Sequence, residues 1–498
     1  MLLPLLFIIT PVIICYFISS KLTHVNKPKL ALLISYLVLS IFSYGPIYGL
    51  VFKFLSKFSR INIYTEWTSL VIFGLYISVL TMGFFLILKV KRISTGLNYS
   101  CNFISIILVS LPLIQIVYHN FSNFHPKFAE RELKVRGNYE LPLSKVKHSQ
   151  EKPDIYYLIF DRYGSYKMLN KYLGFDDLRL KNYLTEKGFL FFEDSRANYP
   201  KTFLSLASSL NMEHLDYLTE LLGENNKDQT YVNFEKLQNY KIWQFLDSFD
   251  YTYIHIGSGW TPTRENKYAH INIRYQNPLY DEFFQLLFKS TLIYPVTVKL
   301  FPDILIEGAG KRERFVYKLE KLQEIVELDG PKFVFAHFLL PHEPFVFGPL
   351  GQPVTSYDLK TRSIKENYLR QLEYTSLQIR NLVENILLKS KNKPIIILQS
   401  DEGPFVNQEF KGAAGVNVDW SKLGTEAIQT HMGILNAFYL PGISMDAISP
   451  TITPVNTFRL IFNLYFGTDF PLLPDKSYII KDMDHPYLFI DVTDRLND

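Results

Sequence analysis

Acidic residues follow two apolar stretches of the sequence that have the composition of buried β-strands. Asp161 comes directly after the run 155–160, and Asp401 and Glu402 follow the run 395–398. In open α/β sheets, ligands gather at the carboxyl ends of the strands, so we expect these three carboxylates to meet at one edge. Carboxylates packed together repel one another, and a divalent cation relieves the repulsion while leaving them ionised. The pattern therefore predicts a metal site, although Asp is also common at strand ends as a turn or helix-capping residue.

The elements that must position these side chains lie after residue 153, where short β-rich runs alternate with helical stretches. This alternation indicates an α/β domain with a mostly parallel central sheet flanked by helices. The candidate strands are Asp154–Phe160, Phe333–Phe338, Pro394–Leu398 and Ile434–Leu440, and a long amphipathic helix is predicted over Tyr368–Leu388.

The first 120 residues differ in character, because they hold four long apolar runs. These are Leu2–Ile18, Leu30–Phe52, Leu70–Val90 and Phe103–Val117. Each approaches the roughly 20 residues that a helix needs to cross a bilayer. We therefore predict about four transmembrane spans over residues 1–120, a linker or interfacial segment over 121–152 and the large domain over 153–498. The first run could instead be a signal peptide, but it lacks a basic start and a small-residue cleavage site.

The orientation depends on the charges beside the spans. The loops between the runs carry similar positive charge, so the positive-inside rule does not separate the two sides of the membrane. No charged side chain precedes Lys21, which favours an N-terminus outside the cell. With an even number of spans, the large domain then faces the extracytoplasmic side of a plasma or inner membrane.

Composition disfavours two kinds of site. The net charge is only +4 and the basic residues are scattered, so we expect no nucleic-acid partner. The two cysteines, Cys15 and Cys101, both precede the large domain. That domain therefore has neither a cysteine nucleophile nor a thiolate metal site, and a metal there needs carboxylate, imidazole or hydroxyl ligands. The sequence does not predict an oligomeric state.

Short motifs occur in the order seen in the sulfatase and alkaline-phosphatase superfamily. They are Asp161 after a strand, the segment 198–208 (NYPKTFLSLAS), the segment 337–345 (HFLLPHEPF) and the segment 400–403 (SDEG). Over about residues 153–480, the chain resembles the membrane-anchored branch that includes lipoteichoic acid synthases and phosphoethanolamine transferases. The resemblance implies a sulfatase-like fold and a covalent mechanism, in which a hydroxyl at a helix start attacks phosphorus or sulfur.

By this resemblance, Thr202 is the nucleophile. It precedes the apolar helical stretch Phe203–Leu210, whose first N–H groups would face an anionic substrate. A helix N-cap uses the same position and geometry, and the two roles are compatible. His342 matches the histidine that contacts the transferred group or protonates the leaving group, a role that suits an imidazole.

The resemblance also assigns the metal ligands, which are Asp161, Thr202, Asp401 and Glu402. Glu402 departs from the pattern, since the family has His after this Asp. An all-oxygen set favours Mn²⁺ or Mg²⁺ as the one divalent cofactor, with Zn²⁺ or Ca²⁺ as the other candidates. The extra negative charge would disfavour an anionic substrate, which leaves open a degenerate, inactive domain.

Four further residues are expected to contact the substrate: Arg162, Trp260, His337 and His431. Trp260 lies in the Gly-rich loop 257–264, which could shape a pocket or form an ordinary turn. His337 could equally be a buried strand histidine that the backbone satisfies. His431 could supply the nitrogen that position 402 lacks, or it could be structural.

Together these features favour a membrane-anchored, metal-dependent phosphotransferase or phosphohydrolase that acts on a membrane lipid or an envelope glycan. Tethering to the bilayer would raise the local concentration of lipid donors. A sulfuric ester hydrolase is a weaker alternative, because the formylglycine of sulfatases is made from Cys or Ser where Thr202 stands. A degenerate, non-catalytic envelope protein that binds a glycan or partner is another. A transporter is disfavoured, since no functional ionisable residue is evident within the spans.

Overall fold

The computed structural model describes residues 27–58, 66–90, 152–277, 282–300, 308–406 and 418–496, with isolated positions at 13–21, 96–103, 132 and 135. The chain forms two compact units. One comprises residues 1–124 and 276–306, and the other comprises residues 125–275 and 307–498. The three domain ranges expected from the sequence stay a prediction.

The elements of the described residues are numbered here in chain order. The helices are α1 (Lys27–Phe58), α2 (Glu66–Lys89), α3 (Tyr166–Leu173), α4 (Arg179–Glu186), α5 (Thr202–Asn211), α6 (Tyr217–Leu222), α7 (Lys241–Asp247), α8 (Glu282–Lys289), α9 (Ile293–Leu300), α10 (Ala309–Val326), α11 (Ser356–Thr361), α12 (Ile364–Lys389), α13 (Thr425–Met432) and α14 (Pro454–Phe466). The strands are β1 (Ile155–Phe160), β2 (Leu190–Phe191), β3 (Thr252–Ile256), β4 (Ile271–Ile273), β5 (Lys332–Phe338), β6 (Ile395–Gln399), β7 (Asn436–Tyr439), β8 (Tyr478–Ile480) and β9 (Phe489–Asp491).

A seven-stranded sheet in the order β2-β7-β6-β1-β5-β3-β4 forms the centre of the larger unit. The five strands from β6 to β4 run parallel, and β7 and β2 add antiparallel pairings at one side. Successive residues of β1 enter two different apolar cores: Tyr157 packs in one and Tyr156 in the other. Both faces of the sheet are therefore covered by helices, which confirms the predicted fold class.

The four candidate strands all correspond to strands of this sheet. Three of them are β1, β5 and β6, which are neighbours and parallel. The fourth, Ile434–Leu440, corresponds to the shorter β7, which runs antiparallel to β6. The predicted helix Tyr368–Leu388 is part of the longer α12, which begins after the capping residue Ser363.

In the smaller unit, α1 and α2 are long and apolar enough to cross a membrane over Lys27–Val51 and Leu70–Lys89. They coincide with the second and third predicted spans. The two helices pack through hydroxyl groups: Tyr76 Oη donates to the Ser40 carbonyl at 2.7 Å, and Tyr36 Oη donates to the Leu80 carbonyl at 3.1 Å. The first and fourth predicted spans lie outside the described residues, apart from isolated positions.

The register of the central strands brings the predicted site residues together. Ile159 of β1 pairs with Gln399 of β6 on one side and with His337 of β5 on the other. Asp161 and Asp401 each lie two residues beyond this level. Sheet pairing alone therefore places both carboxylates and the histidine at one edge.

A buried polar network holds β6 to its neighbours just below this edge. Gln399 Oε1 accepts from Tyr157 Oη at 2.7 Å, while Gln399 Nε2 donates to Asn436 Oδ1 at 2.8 Å and to Thr457 Oγ1 at 3.0 Å. A buried polar group that loses its partner costs about 1–3 kcal/mol. The network therefore fixes the position of the strand end that carries Asp401.

We expect Gln399→Leu to lower the free energy of unfolding by about 1–3 kcal/mol, because it leaves the buried Tyr157 hydroxyl without an acceptor. Denaturant unfolding of the purified chain would measure this. The double variant with Tyr157→Phe should cost less than the sum of the single variants, since the orphaned hydroxyl is then absent. Strict additivity would show that the hydrogen bond does not stabilise the strand end.

Candidate metal centre

Asp161, His337 and Asp401 form a buried group whose ligand atoms all lie within 4.8 Å of one another. His337 Nε2 is 3.8 Å from Asp161 Oδ2. Asp161 Oδ1, both carboxylate oxygens of Asp401 and His337 Nε2 have no hydrogen-bond partner among the described residues. Buried polar atoms normally have partners, and unpaired buried charges are costly. The set of two carboxylates and one imidazole fits a divalent cation.

The raised pKa values of Asp161 and Asp401 also favour a bound cation. Burial, Asp401 and Glu402 raise the pKa of Asp161 well above its ordinary value, although Arg162 and Lys311 oppose the rise. Burial and Glu402 raise the pKa of Asp401 to about 7. Asp401 therefore disfavours ionisation of Asp161, Glu402 disfavours ionisation of both aspartates, and a bound cation would allow both to be charged.

A hydrogen bond from the Gly-rich loop 257–264 orients the ring of His337. His337 Nδ1 is 3.0 Å from Thr263 Oγ1, which in turn lies 2.7 Å from Ser258 Oγ. Burial lowers the pKa of His337 well below its ordinary value, so the ring is neutral. When Nδ1 donates to Thr263, Nε2 keeps a lone pair for a metal, which is the usual arrangement of a ligating histidine. The Trp260 ring lies edge-on to His337 at 6.1 Å.

Thr202 is the first residue of α5, beside this group. Lys201 occupies the cap position, with φ −136° and ψ 134°, so Thr202 lies inside the first turn. The N–H groups of Leu204 and Ser205 both return to the Lys201 carbonyl at 2.9 Å. The Ser205 hydroxyl donates to the Asp401 carbonyl at 2.6 Å and ties the helix to the end of β6.

The Thr202 side chain lies close enough to the Asp401 carboxylate to affect its pKa. It lowers that pKa and so opposes the effect of burial, although neither Asp401 oxygen has a hydrogen bond of regular geometry among the described residues. The first N–H groups of a helix have no partner within it and attract anions. A hydroxyl, a candidate cation site and the start of a helix therefore come together at Thr202.

Glu402 has other partners. Glu402 Oε1 accepts from Arg162 Nε at 3.0 Å, and Glu402 Oε2 lies 3.6 Å from His431 Nε2. Burial opposes ionisation of Glu402, but His431 and Arg162 outweigh it, so the pKa of Glu402 lies well below its ordinary value. Among the described residues, the candidate group of ligand atoms thus contains His337 and does not include Glu402.

Arg162 and His431 connect Glu402 to the rest of the site. Arg162 Nη1 also binds Glu343 Oε2 at 2.5 Å, and the guanidinium lies over the Phe405 ring at 5.0 Å. His431 Nε2 is 2.9 Å from the carbonyl of Pro200, in the segment that leads to α5. Both residues were expected to contact substrate, and both have structural contacts in the described part of the site.

His342 is the more accessible of the two strand-end histidines, with a side chain that is 29% exposed. Its backbone N–H donates to the Asp161 carbonyl at 3.1 Å, and its Nδ1 contacts the Glu343 carbonyl. Burial and Arg162 lower the pKa of His342 to about 3. The ring is therefore neutral near pH 7, a state better suited to a hydrogen bond with substrate than to proton donation.

Two buried lysines of α10 were not found from the sequence. Lys311 Nζ donates to the His342 and Pro344 carbonyls, and Lys318 Nζ donates to the His337 carbonyl. Burial lowers the pKa of Lys311 to about 7 and that of Lys318 well below its ordinary value. Their stretch reads KRERFVYKLEK, which is typical of a solvated helix. The sole signal is the i, i+7 spacing that puts both lysines on one helix face.

No protein-family profile and no curated protein matches the chain. Solved structures give a weak likeness. The C-terminal periplasmic domain of phosphoethanolamine transferase EptC from Campylobacter jejuni is 10% identical, with a TM-score of 0.42, over 70% of this chain and 99% of that one. The same domain of EptC from Escherichia coli, in complex with Zn, is 12% identical, with a TM-score of 0.43, over 71% of this chain and 96% of that one. A protein in the alkaline phosphatase superfamily from Vibrio parahaemolyticus is 11% identical, with a TM-score of 0.43, over 71% of this chain and 81% of that one.

These similar structures come from the same kinds of protein whose motifs the sequence resembles. At such identities and TM-scores, the likeness transfers neither residue roles nor an activity to this chain. The chemistry of the site has to be judged from its own side chains.

We expect His337→Ala and Asp401→Asn to lose a bound divalent metal, because each removes a ligand atom of the buried group. Glu402→Gln should keep the metal and serves as the matched control, since Glu402 pairs with Arg162. Metal content per chain after dialysis, measured by elemental mass spectrometry, would decide this. Loss of metal in Glu402→Gln with retention in His337→Ala would contradict the assignment and favour the all-oxygen set.

The raised pKa of Asp401, about 7, also predicts a pH dependence. An acid whose pKa is higher in the folded state binds more protons folded than unfolded, so its contribution to stability falls as pH rises through that window. Without metal, Asp401→Asn should therefore gain melting temperature relative to the parent chain between about pH 4 and pH 7. Saturating divalent cation should cancel this gain. A difference that does not change with pH would contradict the raised pKa.

Proposed function

We propose that this protein is a membrane-anchored, divalent-metal-dependent phosphotransferase or phosphohydrolase that acts on a lipid-linked or cell-envelope substrate through Thr202. The observation that carries the proposal is the group of unpartnered, buried ligand atoms of Asp161, His337 and Asp401. It lies beside a hydroxyl at a helix start. Carboxylates with a purely structural role would have hydrogen-bond partners within the protein. The unpartnered atoms of this group could instead bind a metal ion next to a nucleophile.

The proposed reaction follows from these positions. A divalent cation bound at the site would supply Lewis-acid stabilisation of charge and would make the hydroxyl proton easier to remove. Thr202 Oγ1 attacks phosphorus, a Thr202 Oγ1–P bond forms, and the bond from phosphorus to the donor's alcohol oxygen breaks. That alcohol leaves with a proton. Water or an acceptor alcohol then takes the phosphoryl group from Thr202, which gives hydrolysis or transfer.

The negative charge of the substrate needs a cationic partner besides the metal. Lys201, next to the nucleophile, is half-buried, and its ammonium lies 5.3 Å from the Phe405 ring centroid and 5.1 Å from that of Trp420. Burial lowers the pKa of Lys201 and Glu402 opposes this. Lys201 and the start of α5 together supply the positive end of the site.

The pairing of Glu402 weakens the alternative of an inactive domain. That alternative rested on an extra negative charge at the metal site. Arg162 Nε lies 3.0 Å from Glu402 Oε1 and offsets part of its charge, although Glu402 still raises the pKa of Asp161 and of Asp401. The substitution of His by Glu is therefore compatible with an active enzyme.

The exposed apolar surface of α2 supports membrane anchoring. Leu75, Val79 and Phe85 are more than half exposed, and few residues of its apolar run are buried within the protein. A core helix of a soluble protein would bury these side chains. We propose that the α/β unit faces the extracytoplasmic side, where envelope substrates occur.

We expect Thr202→Ala to lower turnover of an aryl phosphodiester at least about 10³-fold, in line with loss of a covalent nucleophile. Ser208→Ala is the matched control, because Ser208 Oγ donates to the Glu213 carbonyl at the other end of α5. It should stay near the parent rate. A phosphorylated Thr202, trapped by acid quenching and found by mass spectrometry, would support the covalent step.

Retention of metal and full turnover in Thr202→Ala would overturn the proposal. Bound metal with no turnover of phosphodiesters by the parent chain would favour the glycan-binding alternative. Turnover of aryl sulfates in preference to phosphodiesters would favour the sulfuric ester hydrolase.

A further inference from the structure

Residues 276–306 interrupt the α/β unit in sequence, between β4 and α10, yet they belong to the compact unit that holds α1 and α2. Their described part consists of the short helices α8 and α9, joined by the turn 290–292. A surface excursion of the α/β unit would be expected to pack on that unit. The contacts that attach the segment to α1 explain why it belongs to the unit that holds α1 and α2.

The turn is joined to α1 by two backbone hydrogen bonds. The Gly45 N–H donates to the Ser290 carbonyl at 2.9 Å, and the Leu292 N–H donates to the Ile41 carbonyl at 2.8 Å. Ile41 and Gly45 stand one helical turn apart, where they would pair with each other in a regular helix. The next residue, Pro46, lacks an N–H and crowds the preceding turn. The Gly45 N–H and the Ile41 carbonyl of α1 therefore both bond the segment.

Close approach at this point requires glycine. A Cβ on Gly45 would lie 2.6 Å from Ser290 Cα and 2.9 Å from the Ser290 carbonyl oxygen. A Cβ on Gly49, one turn further along α1, would meet open space. Two glycines of one helix thus differ in whether the segment covers them.

One exposed face of α9 is apolar, and two hydroxyl groups of the turn have hydrogen-bond partners. Ile293, Val296 and Leu300 recur on one face of α9 and are 52%, 42% and 65% exposed. In the turn, Ser290 Oγ donates to the Leu287 carbonyl at 2.6 Å and Thr291 Oγ1 donates to the Phe288 carbonyl at 2.7 Å. Exposed apolar side chains beside hydroxyl groups that have partners suit contact with lipid.

We propose that Glu282–Leu300 lies in the membrane interface, docked on α1, with the exposed face of α9 against lipid acyl chains. The inference rests on the proposed membrane anchoring of α1. The apolar run of α1 ends at Val51, and Gly45 lies about 9 Å before that end at 1.5 Å per residue. Amphipathic interfacial helices are buried to about 5–10 Å. The docking point therefore lies at the depth that such helices occupy.

Site-directed spin labelling of the full chain in phospholipid nanodiscs tests the depth of the segment. In a background with both native cysteines replaced by Ser, labels are placed at Ile293 and Leu300, with Val79 of α2 as the lipid reference and Leu350 as the water reference. Leu350 is 88% exposed on the α/β unit. We expect Ile293 and Leu300 to favour collisions with O₂ over a water-soluble nickel chelate, as Val79 does.

The possible outcomes separate the two proposals. If Val79 favours the nickel chelate, the membrane anchor itself is wrong. If Val79 favours O₂ while Ile293 and Leu300 match Leu350, the anchor stands and the interfacial segment is overturned.

A pair of glycine variants tests the docking. Gly45→Ala should shift the O₂-to-nickel ratio at Ile293 towards the value at Leu350, because the new methyl group displaces Ser290. Gly49→Ala should leave it unchanged, and both changes favour the helix equally by intrinsic propensity. Equal behaviour of the two variants would contradict docking through Gly45.

Discussion

Two buried carboxylates, those of Asp161 and Asp401, lie close together at one edge of the central sheet, and the geometry of the site follows from this proximity. β1 and β6 are paired in parallel register, so Asp161 and Asp401 cannot separate without breaking the centre of the sheet. Burial raises the pKa of both groups, Asp401 and Glu402 raise that of Asp161 further, and Glu402 raises that of Asp401 further. With His337 Nε2 alongside, the arrangement stores an electrostatic cost that a bound divalent cation would remove.

Arg162 and Lys311 lower the pKa of Asp161, but burial and the neighbouring carboxylates outweigh them. Arg162 also binds Glu402 and Glu343, while Lys311 and Lys318 donate to backbone carbonyls of β5 and of the loop that follows it. Each of these contacts fixes a strand end or a loop. The result is a centre of buried acidic side chains, surrounded by ion pairs and hydrogen bonds, that a divalent cation would allow to ionise. Thr202 enters this centre from the start of α5.

The sequence predicts the parts of the site that depend on local patterns. A carboxylate after each of two apolar strands placed Asp161 and Asp401 correctly at one sheet edge, and an apolar helix after Thr202 placed its hydroxyl at a helix start. The neighbourhood of His337 depends on β5 lying next to β1, which no local pattern reveals. The partner of Glu402 is set by a left-handed backbone at Arg162, with φ 65°. The attachment of residues 282–300 to α1 likewise depends on a contact between distant parts of the chain.

We propose that Asp161, His337 and Asp401 together hold one divalent ion next to Thr202. Anomalous diffraction from crystals grown with Mn²⁺ or Zn²⁺, recorded at the absorption edge of the ion, tests this most directly. We expect one strong peak within bonding distance of a side-chain atom of each of the three residues. A peak bound by Glu402 without His337, or no peak at this edge of the sheet when the ion is saturating, would contradict it.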